Sequence, residues 1–434
     1  MQLLLTSLLA LPWLLRPVMG QQEPLGEQDP FYIQALEIME KSPLIDTHVD
    51  LPQIIRSLGR RPLEIIPQLA GNLPGHVDIP RMRKGRLGGA FWTVWAPCHG
   101  IGGEDPGADF NNPTNALRDS LEMLDLIQNM IKQHPDHLEY AHSSTDVQRA
   151  FQNGKIASLI GMEGTHLLGN SLGAMRIFAQ MGVRYITLTH MCHSAFASAN
   201  GLGGEENAPP VHPGNGLTDL GRDLVRELNR LGVLIDLSHT SDNTSRQALE
   251  LSTAPVIWTH AGSRAIWDHQ RNIPDDILHM IGDGPGKNKG LVHSIFYPAF
   301  LGPYESANVS TVANHIEHIA SIVGKKHVGI GSDFDGMPHS VKGLDDVSQY
   351  PNLVAEFLAR GWNESEVQDL MGGNLLRVMD EVDAVRDQSA HLLPSAEIWD
   401  LRKDLPAEWG GANDFFYPVD VRDHKNAVLR HDEL

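Results

Sequence analysis

Basic residues are in short supply in this sequence. Its 434 residues include 34 Lys and Arg against 54 Asp and Glu, so the formal net charge is −20. Nucleic acids and anionic membranes select basic surfaces, and this balance argues against both as partners. Long apolar runs are missing too, because after residue 20 no segment approaches the ~20 apolar residues of a transmembrane helix. We therefore predict a protein with no nucleic-acid partner and no membrane anchor.

Cysteine is almost absent, since the chain contains only Cys98 and Cys192. In an oxidising compartment, two thiols in a chain of this length often form one disulfide. A metal-binding role for Cys192, which lies two residues after His190, is the alternative at this point.

The N-terminal stretch 1–20 is apolar and lacks a basic start. With its polar flanks it is too short to span a bilayer, and it ends in Val18-Met19-Gly20, whose small last residue suits signal peptidase. We predict a cleaved signal peptide, with a buried N-terminal helix as the alternative. Three Asn-X-Ser/Thr sequons fit the same secretory route and are predicted glycosylation sites: Asn243, Asn308 and Asn363.

Eight short apolar runs of strand length alternate with segments of helical periodicity. The runs cover 44–46, 90–95, 156–160, 185–188, 233–237, 256–258, 291–296 and 328–331. This alternation predicts a parallel sheet covered by helices, and eight strands can close into a barrel. The sequence therefore predicts an α/β fold of the (β/α)8, or TIM-barrel, type.

Leucines at three- and four-residue steps over 217–231 predict a helix that ends at Gly232, and similar spacing over 312–323 predicts a helix that ends at Gly324. No Pro/Ser-rich linker or low-complexity tract interrupts 40–385, which favours one catalytic domain there. Residues 386–434 depart from the pattern, so we predict an extension without a core of its own.

Side chains that bind metals or transfer protons follow six of the eight runs. They are His48 and Asp50 after the first run, Glu163 after the third, His190 after the fourth, His239 after the fifth, His260 after the sixth and Asp333 after the eighth. One histidine at the end of a buried strand is more often a core residue than a ligand. In a (β/α)8 barrel, however, these strand ends meet at one catalytic mouth, so the shared pattern predicts a common site.

The ligand types in this pattern suit a pair of zinc ions. In His48-X-Asp50 the alternation of a strand directs both side chains to one side, where they can hold the same ion. Three histidines and three carboxylates are too many for one tetrahedral zinc, but they suit two ions about 3.5–4 Å apart. Nitrogen and oxygen ligands without thiolate favour zinc. We therefore predict two Zn²⁺ per chain.

Along nearly all of 40–385 the sequence resembles the membrane (renal) dipeptidase family of binuclear zinc peptidases. The resemblance is carried by six segments, namely 44–50 (LIDTHVD), 161–164 (GMEG), 184–190 (RYITLTH), 231–239 (LGVLIDLSH), 271–276 (RNIPDD) and 333–336 (DFDG). It implies an amidohydrolase-like (β/α)8 barrel that hydrolyses dipeptides.

The resemblance also implies a role for each matching residue. One zinc would bind His48, Asp50 and Asp333, the other would bind His239 and His260, and Glu163 would bridge them. A hydroxide between the two ions would attack the peptide carbonyl, and Asp333 would shuttle its proton to the leaving amine. His190 would contact the scissile group, while Arg271 would face the free C-terminal carboxylate. Tyr297 is assigned to the substrate pocket as well. The alternatives are a strand-capping His190 and an Arg271 in a surface ion pair.

Further expectations follow from the same resemblance. The corresponding cysteines of the family are bridged, so we predict a Cys98–Cys192 disulfide. Animal members end in a hydrophobic tail for lipid anchorage, whereas this chain ends in His431-Asp432-Glu433-Leu434, as expected for a fungal-type member without that tail. We therefore expect a lumenal protein returned to the ER by a retrieval receptor, or a secreted one if the signal is not read. The family also allows a homodimer.

Two other functions are left open. An amidohydrolase-like hydrolase of cyclic amides or lactams often bridges its metals with a modified lysine on the fourth strand, but 185–190 contain no lysine. A catalytically retired lumenal binding protein would be expected to have lost a metal ligand, and all six are present. A zinc dipeptidase is therefore preferred, with the physiological dipeptide undetermined.

Overall fold

The computed structural model describes residues 26–71, 73–98, 116–201, 212–398 and 419–420. The predicted signal peptide 1–20 and the C-terminal HDEL lie outside these residues, so both stay predictions. The predicted extension is described from 386 to 398 and at 419–420 only. Among the described residues, no helix is both long and apolar enough to cross a membrane.

The core of the fold is a parallel sheet of nine strands within the described part of the chain. The strands are β1 (Leu44–Val49), β2 (Leu87–Val94), β3 (Leu138–Tyr140), β4 (Ile156–Glu163), β5 (Val183–Thr187), β6 (Leu234–Asp236), β7 (Val256–Ala261), β8 (Leu291–Ser294) and β9 (Val328–Ile330). Eight of them run in the order β1-β2-β4-β5-β6-β7-β8-β9. A parallel bridge between Val49 and Phe334 brings the two ends together, and the amide of Asp50 donates to the Phe334 carbonyl at 2.8 Å. The prediction of an eight-stranded barrel is therefore confirmed.

Strand β3 was not predicted from the sequence. It has three residues, pairs only with β4 and lies off the barrel path. Of its residues only Leu138 is buried, while Glu139 is half-buried and Tyr140 is exposed. A strand with one buried side chain leaves no apolar run in the sequence, which explains why periodicity missed it.

Helices follow the strands and cover the barrel. Their bounds are α1 (Pro30–Lys41), α2 (Leu51–Ser57), α3 (Ile79–Lys84), α4 (Ala116–Gln133), α5 (Ser144–Gln152), α6 (Leu172–Gln180), α7 (Asp219–Leu231), α8 (Asp242–Leu251), α9 (Asp275–Leu278), α10 (Val309–Val323), α11 (Tyr350–Ala359), α12 (Glu364–Gln368) and α13 (Asn374–Gln388). The two helices predicted to end at glycines are α7 and α10. Gly232 ends α7 in the left-handed conformation, with φ of +71°, as a C-terminal glycine does.

The N-terminal end of the barrel is closed by packing. Helix α13 contacts α5, α7, β8 and β9, and its residues Leu375 and Val378 share a buried cluster with the strand residues Ile45, Phe91 and Leu159. With this end filled by apolar side chains, the opposite end, where the strands finish, remains available for a polar site.

Candidate metal centre

All seven residues predicted at the strand ends converge on the C-terminal mouth of the barrel. His48 lies on β1 and Asp50 directly after it, Glu163 ends β4, His190 and His239 follow β5 and β6 by three residues, His260 lies on β7, and Asp333 follows β9 by three residues. Each side chain is largely buried, from 0% exposed for His48 to 15% for Asp333. The barrel thus places four imidazoles and three carboxylates in one buried cluster.

Glu163 lies at the centre of the cluster. Its Oε1 is 3.1 Å from Nε2 of His239 and 3.5 Å from Nε2 of both His48 and His260. Its Oε2 is 3.8 Å from Nε2 of His190. One carboxylate therefore faces four imidazole nitrogens, which is the arrangement that a bridging ligand needs.

A second group of candidate ligands surrounds His48. Nε2 of this ring lies 3.3 Å from Oδ2 of Asp50 and 3.9 Å from Oδ1 of Asp333. These three residues form one candidate metal-binding group, and Glu163 with His190 and His239 forms another. A third group, made of His48, Glu163 and His260, joins them.

The nitrogen and oxygen atoms of the cluster are arranged to bind metal ions rather than to form hydrogen bonds with one another. The Nε2 atoms of His239 and His260 are only 3.0 Å apart, and burial lowers the pKa of both rings well below the usual range. Nδ1 of His260 lies 2.9 Å from the hydroxyl of Thr259. Nε2 of His48 and Oδ1 of Asp50 are buried and have no hydrogen-bond partner among the described residues, and a cation would accept lone pairs from both. Their chemistry, nitrogen and carboxylate oxygen without thiolate, suits zinc.

The two carboxyl groups nearest the centre differ in acidity. Burial, together with repulsion from Asp50 and Glu163, raises the pKa of Asp333 well above its usual range. For Glu163, attraction by His48 and His190 outweighs burial and lowers the pKa well below its usual range. Glu163 is therefore the more readily ionised of the two carboxyl groups.

A pocket of about 430 Å³ opens beside the cluster, between Trp95, His190, Arg271, Tyr297 and Phe300. Arg271 is 3% exposed, and burial lowers the pKa of its guanidinium. The guanidinium carbon lies 5.3 Å from the centre of the Phe300 ring. Its Nη2 reaches the His260 carbonyl at only 3.5 Å, and Nε has no hydrogen-bond partner among the described residues. Most N–H donors of the guanidinium thus remain available for a ligand. Because Arg271 is buried, the alternative of a surface ion pair is wrong.

Comparison with known proteins agrees with this geometry. Residues 33–392 match the family described as membrane dipeptidase (peptidase family M19). This chain belongs to the membrane dipeptidase family. Dipeptidase tcpJ of Claviceps purpurea (strain 20.1) is 38% identical over 395 residues, which cover 84% of this chain and 89% of that relative.

This membrane dipeptidase family member is also similar to proteins of known structure. A metallo peptidase from Rhodobacter sphaeroides, liganded with a phosphinate mimic of the dipeptide L-Ala-D-Ala, aligns with a TM-score of 0.68 and 25% identity over 79% of this chain and 99% of that one. The probable dipeptidase PvdM from Pseudomonas aeruginosa aligns with a TM-score of 0.72 and 23% identity over 82% of this chain and 99% of that one. The likeness to PvdM supports the (β/α)8 fold of this chain.

The disulfide predicted from the family is present. Cys98 and Cys192 are bonded, with Cα atoms 5.9 Å apart, so the alternative of a metal-binding Cys192 is wrong. The bridge ties the segment after β2 to the segment after β5, and Sγ of Cys98 lies 3.9 Å from Nδ1 of His190. In this dipeptidase family member the disulfide therefore packs against His190, which lines the pocket.

The pocket also contains residues that the sequence did not reveal. The ring of Trp95 meets His190 edge-on, with ring centres 5.7 Å apart. Phe300 packs under Arg271 and contacts the predicted pocket residue Tyr297, with ring centres 4.8 Å apart. Trp95 ends a predicted strand run and could have been found by its position. Phe300 lies in a short turn and carries no comparable signal.

The predicted glycosylation sites lie at helix N-termini. The Asn308 and Asn363 side chains cap α10 and α12, and Asn243 lies in the first turn of α8. Asn243 and Asn363 are exposed, whereas Asn308 is half-buried. Their modification stays a prediction.

Proposed function

We propose that this member of the membrane dipeptidase family is a zinc-dependent dipeptidase that binds two zinc ions per chain. The observation that carries the proposal is the convergence of four buried imidazoles on the Glu163 carboxylate, next to a buried arginine with free donors. The first feature supports a binuclear metal site, and the second supports a small anionic substrate.

The ligands divide into two sets around Glu163. His48, Asp50 and Asp333 would hold one zinc, and His239 and His260 would hold the other. When bound, the two ions would supply a bridging hydroxide as nucleophile and polarise the scissile carbonyl. The short distances from Glu163 Oε1 to imidazoles of both sets support its role as the shared ligand.

Three side chains would act on the substrate itself. Arg271 would bind the C-terminal carboxylate through its unpaired donors, because a planar fork matches a carboxylate. His190, with a pKa lowered by burial to about 4, stays neutral and can donate one hydrogen bond to the developing oxyanion. Asp333 would receive the proton from the nucleophile and pass it to the leaving amine.

The position of Arg271 bears on which peptide bond is cleaved. Arg271 lies close to the proposed metal ligands, since its Nη2 lies 3.5 Å from the carbonyl of His260, so a carboxylate bound there would place the C-terminal residue of the substrate next to the scissile bond. Tyr297 and Phe300 form the wall beside it. The Rhodobacter sphaeroides structure, with its mimic of L-Ala-D-Ala, supports a dipeptide here and a test of D-residues at the second position.

Metal analysis and a dipeptide panel test the proposal. We expect two zinc ions per chain in the loaded protein, hydrolysis of free dipeptides and no hydrolysis of tripeptides. Glu163→Gln should lower the occupancy of both ions, because a bridging ligand serves both. Full activity with one ion per chain would refute the binuclear site, and hydrolysis of cyclic amides but not dipeptides would favour the rival amidohydrolase function.

We also propose that the protein works in the secretory pathway and is retrieved to the ER lumen through His431-Asp432-Glu433-Leu434. The Cys98–Cys192 disulfide supports an oxidising compartment. Removing the four residues should send the protein into the medium of a host that reads HDEL. Equal secretion of the full and truncated chains would show that retrieval does not operate.

A further inference from the structure

Two hydroxyl groups lie on the outer nitrogens of metal-site histidines. The hydroxyl of Tyr185 on β5 is 2.9 Å from Nδ1 of His48. The hydroxyl of Thr259 on β7 is 2.9 Å from Nδ1 of His260 and farther, at 3.5 Å, from Nδ1 of His48. Both rings point Nε2 towards Glu163, so each hydroxyl holds the ring from the side opposite to the proposed metal.

The Thr259 hydroxyl is itself fixed by a buried carboxylate. It donates to Oδ2 of Asp236 at 2.7 Å, and the Thr187 hydroxyl donates to the same oxygen at 2.6 Å. The other oxygen, Oδ1, accepts from the Thr259 amide at 2.8 Å and from the Ser238 amide at 3.1 Å. Since its hydrogen points to Asp236, the Thr259 hydroxyl can only accept from His260. The chain Asp236–Thr259–His260 therefore sets the tautomer of the ring.

The position of Tyr185 is fixed by packing. Its ring is fully buried and lies against Phe91, with ring centres 5.0 Å apart. On the neighbouring strand β4, a Cβ at Gly161 would overlap the Tyr185 ring. The glycine thus makes the space in which the tyrosine reaches across the barrel to His48.

We propose that Tyr185 and Thr259 are positioning residues of the metal centre, each acting on a different ion. The proposal rests on the proposed function, because it assumes that His48 and His260 bind zinc through Nε2. A histidine that binds metal through Nε2 carries its proton on Nδ1, and a fixed acceptor there orients the ring and strengthens the ligand. Neither Tyr185 nor Thr259 touches the substrate pocket in the described part of the chain.

The two hydroxyls should have separable effects. Removing the Tyr185 hydroxyl should weaken the zinc held by His48, Asp50 and Asp333. Removing the Thr259 hydroxyl should weaken chiefly the zinc held by His260 and His239, because His260 is the nearer of its two imidazole contacts. Loss of such an outer partner typically lowers metal affinity by ~10-fold to 100-fold, and we expect losses in that range for one ion in each variant.

The test compares Tyr185→Phe and Thr259→Val with matched controls in the full-length enzyme. Zinc affinity for each of the two ions is measured by competition with a chelator, and activity is followed as free zinc is raised. Tyr32→Phe and Thr244→Val are the controls, since both remove a hydroxyl from a buried side chain outside the metal cluster. Thr259→Ser keeps the hydroxyl and should restore the affinity that Thr259→Val loses.

We expect each hydroxyl variant to lose affinity for one ion while its control matches the parent, and activity to recover with added zinc. Unchanged affinity in Tyr185→Phe and Thr259→Val, or equal losses in the controls, would overturn the positioning role and leave the proposed function standing. A parent protein that binds no zinc would instead overturn the proposed function and this inference together. Failure of Thr259→Ser to rescue would overturn the role of the Thr259 hydroxyl.

Discussion

Amidation of the substrate's C-terminus should expose the role of Arg271 most directly. The guanidinium is buried, and in the described residues its strongest polar contact is a 3.5 Å approach to the His260 carbonyl. A carboxylate would pair with the free donors, whereas a primary amide offers one oxygen, no charge and a competing N–H. When the amidated dipeptide binds, some N–H donors of the Arg271 guanidinium are therefore removed from water without gaining a hydrogen-bond partner.

The size of the effect follows from the burial of the pair. Losing one partner of a buried, hydrogen-bonded charge pair costs about 2–5 kcal/mol, and about 1.4 kcal/mol corresponds to a factor of ten. We therefore expect kcat/KM for the amidated dipeptide to be lower by roughly 30-fold to several thousand-fold. In Arg271→Ala the free dipeptide should lose most of its advantage in kcat/KM over the amidated dipeptide. The kcat/KM values of the two substrates should then differ by no more than about threefold.

The assay is a cycle of two enzymes and two substrates, with zinc content measured in each protein. Arg264→Ala serves as the matched control, because Arg264 lies in the same loop but is already paired with both oxygens of Asp242. The control should keep the full preference for the free carboxylate. Equal rates on free and amidated dipeptides in the parent enzyme, or an unchanged preference in Arg271→Ala, would refute the reasoning.

Three further predictions concern the scaffold. Gly336→Ala should abolish metal binding and activity in a folded protein, measured by zinc content and circular dichroism, because its Cβ would overlap carboxylate oxygens of both Asp50 and Asp333. Replacing Cys98 and Cys192 by serine removes a bridge across 94 residues and should cost ~4–5 kcal/mol of unfolding free energy, seen as a lower Tm. Hydrogen bonds at the start of α5 outweigh burial and lower the pKa of Asp146 from 3.8 to about 2. Asp146→Asn should therefore cost ~1–2 kcal/mol of stability near pH 6, and the difference from the parent should vanish as pH falls from 4 towards 2 in denaturant titrations.

The barrel and the ligand types could be predicted because both depend on local sequence. Buried parallel strands need continuous apolar runs, and a catalytic barrel places its polar residues where those runs end. His48, Glu163 and His260 each lie on the last residues of such a strand. Their convergence followed from topology alone.

Contacts across the barrel could not be predicted in the same way. Tyr185 and His48 are 137 residues apart in sequence, and Tyr185 looks like any other apolar residue of strand β5. Asp236 ends β6 in the same manner as the predicted ligands, yet its two oxygens are used by hydroxyl and amide donors. Its distinction from a metal ligand arises from these donors, most of which the neighbouring strands β5 and β7 supply.

Backbone conformation adds a further element that sequence pattern could not supply. His239 and Asp333 have φ angles of +64° and +68°, in the left-handed region that side chains other than glycine adopt at a cost of ~1–3 kcal/mol each. Hydrogen bonds help to hold them there, because the amide of Asp333 donates to the His48 carbonyl at 3.1 Å and the carbonyl of His239 accepts from the Asn200 amide at 2.9 Å. Both residues are proposed ligands, one in each zinc set. The fold therefore fixes the main chain of one proposed ligand in each set, so that metal binding would need little rearrangement of the backbone at these two residues.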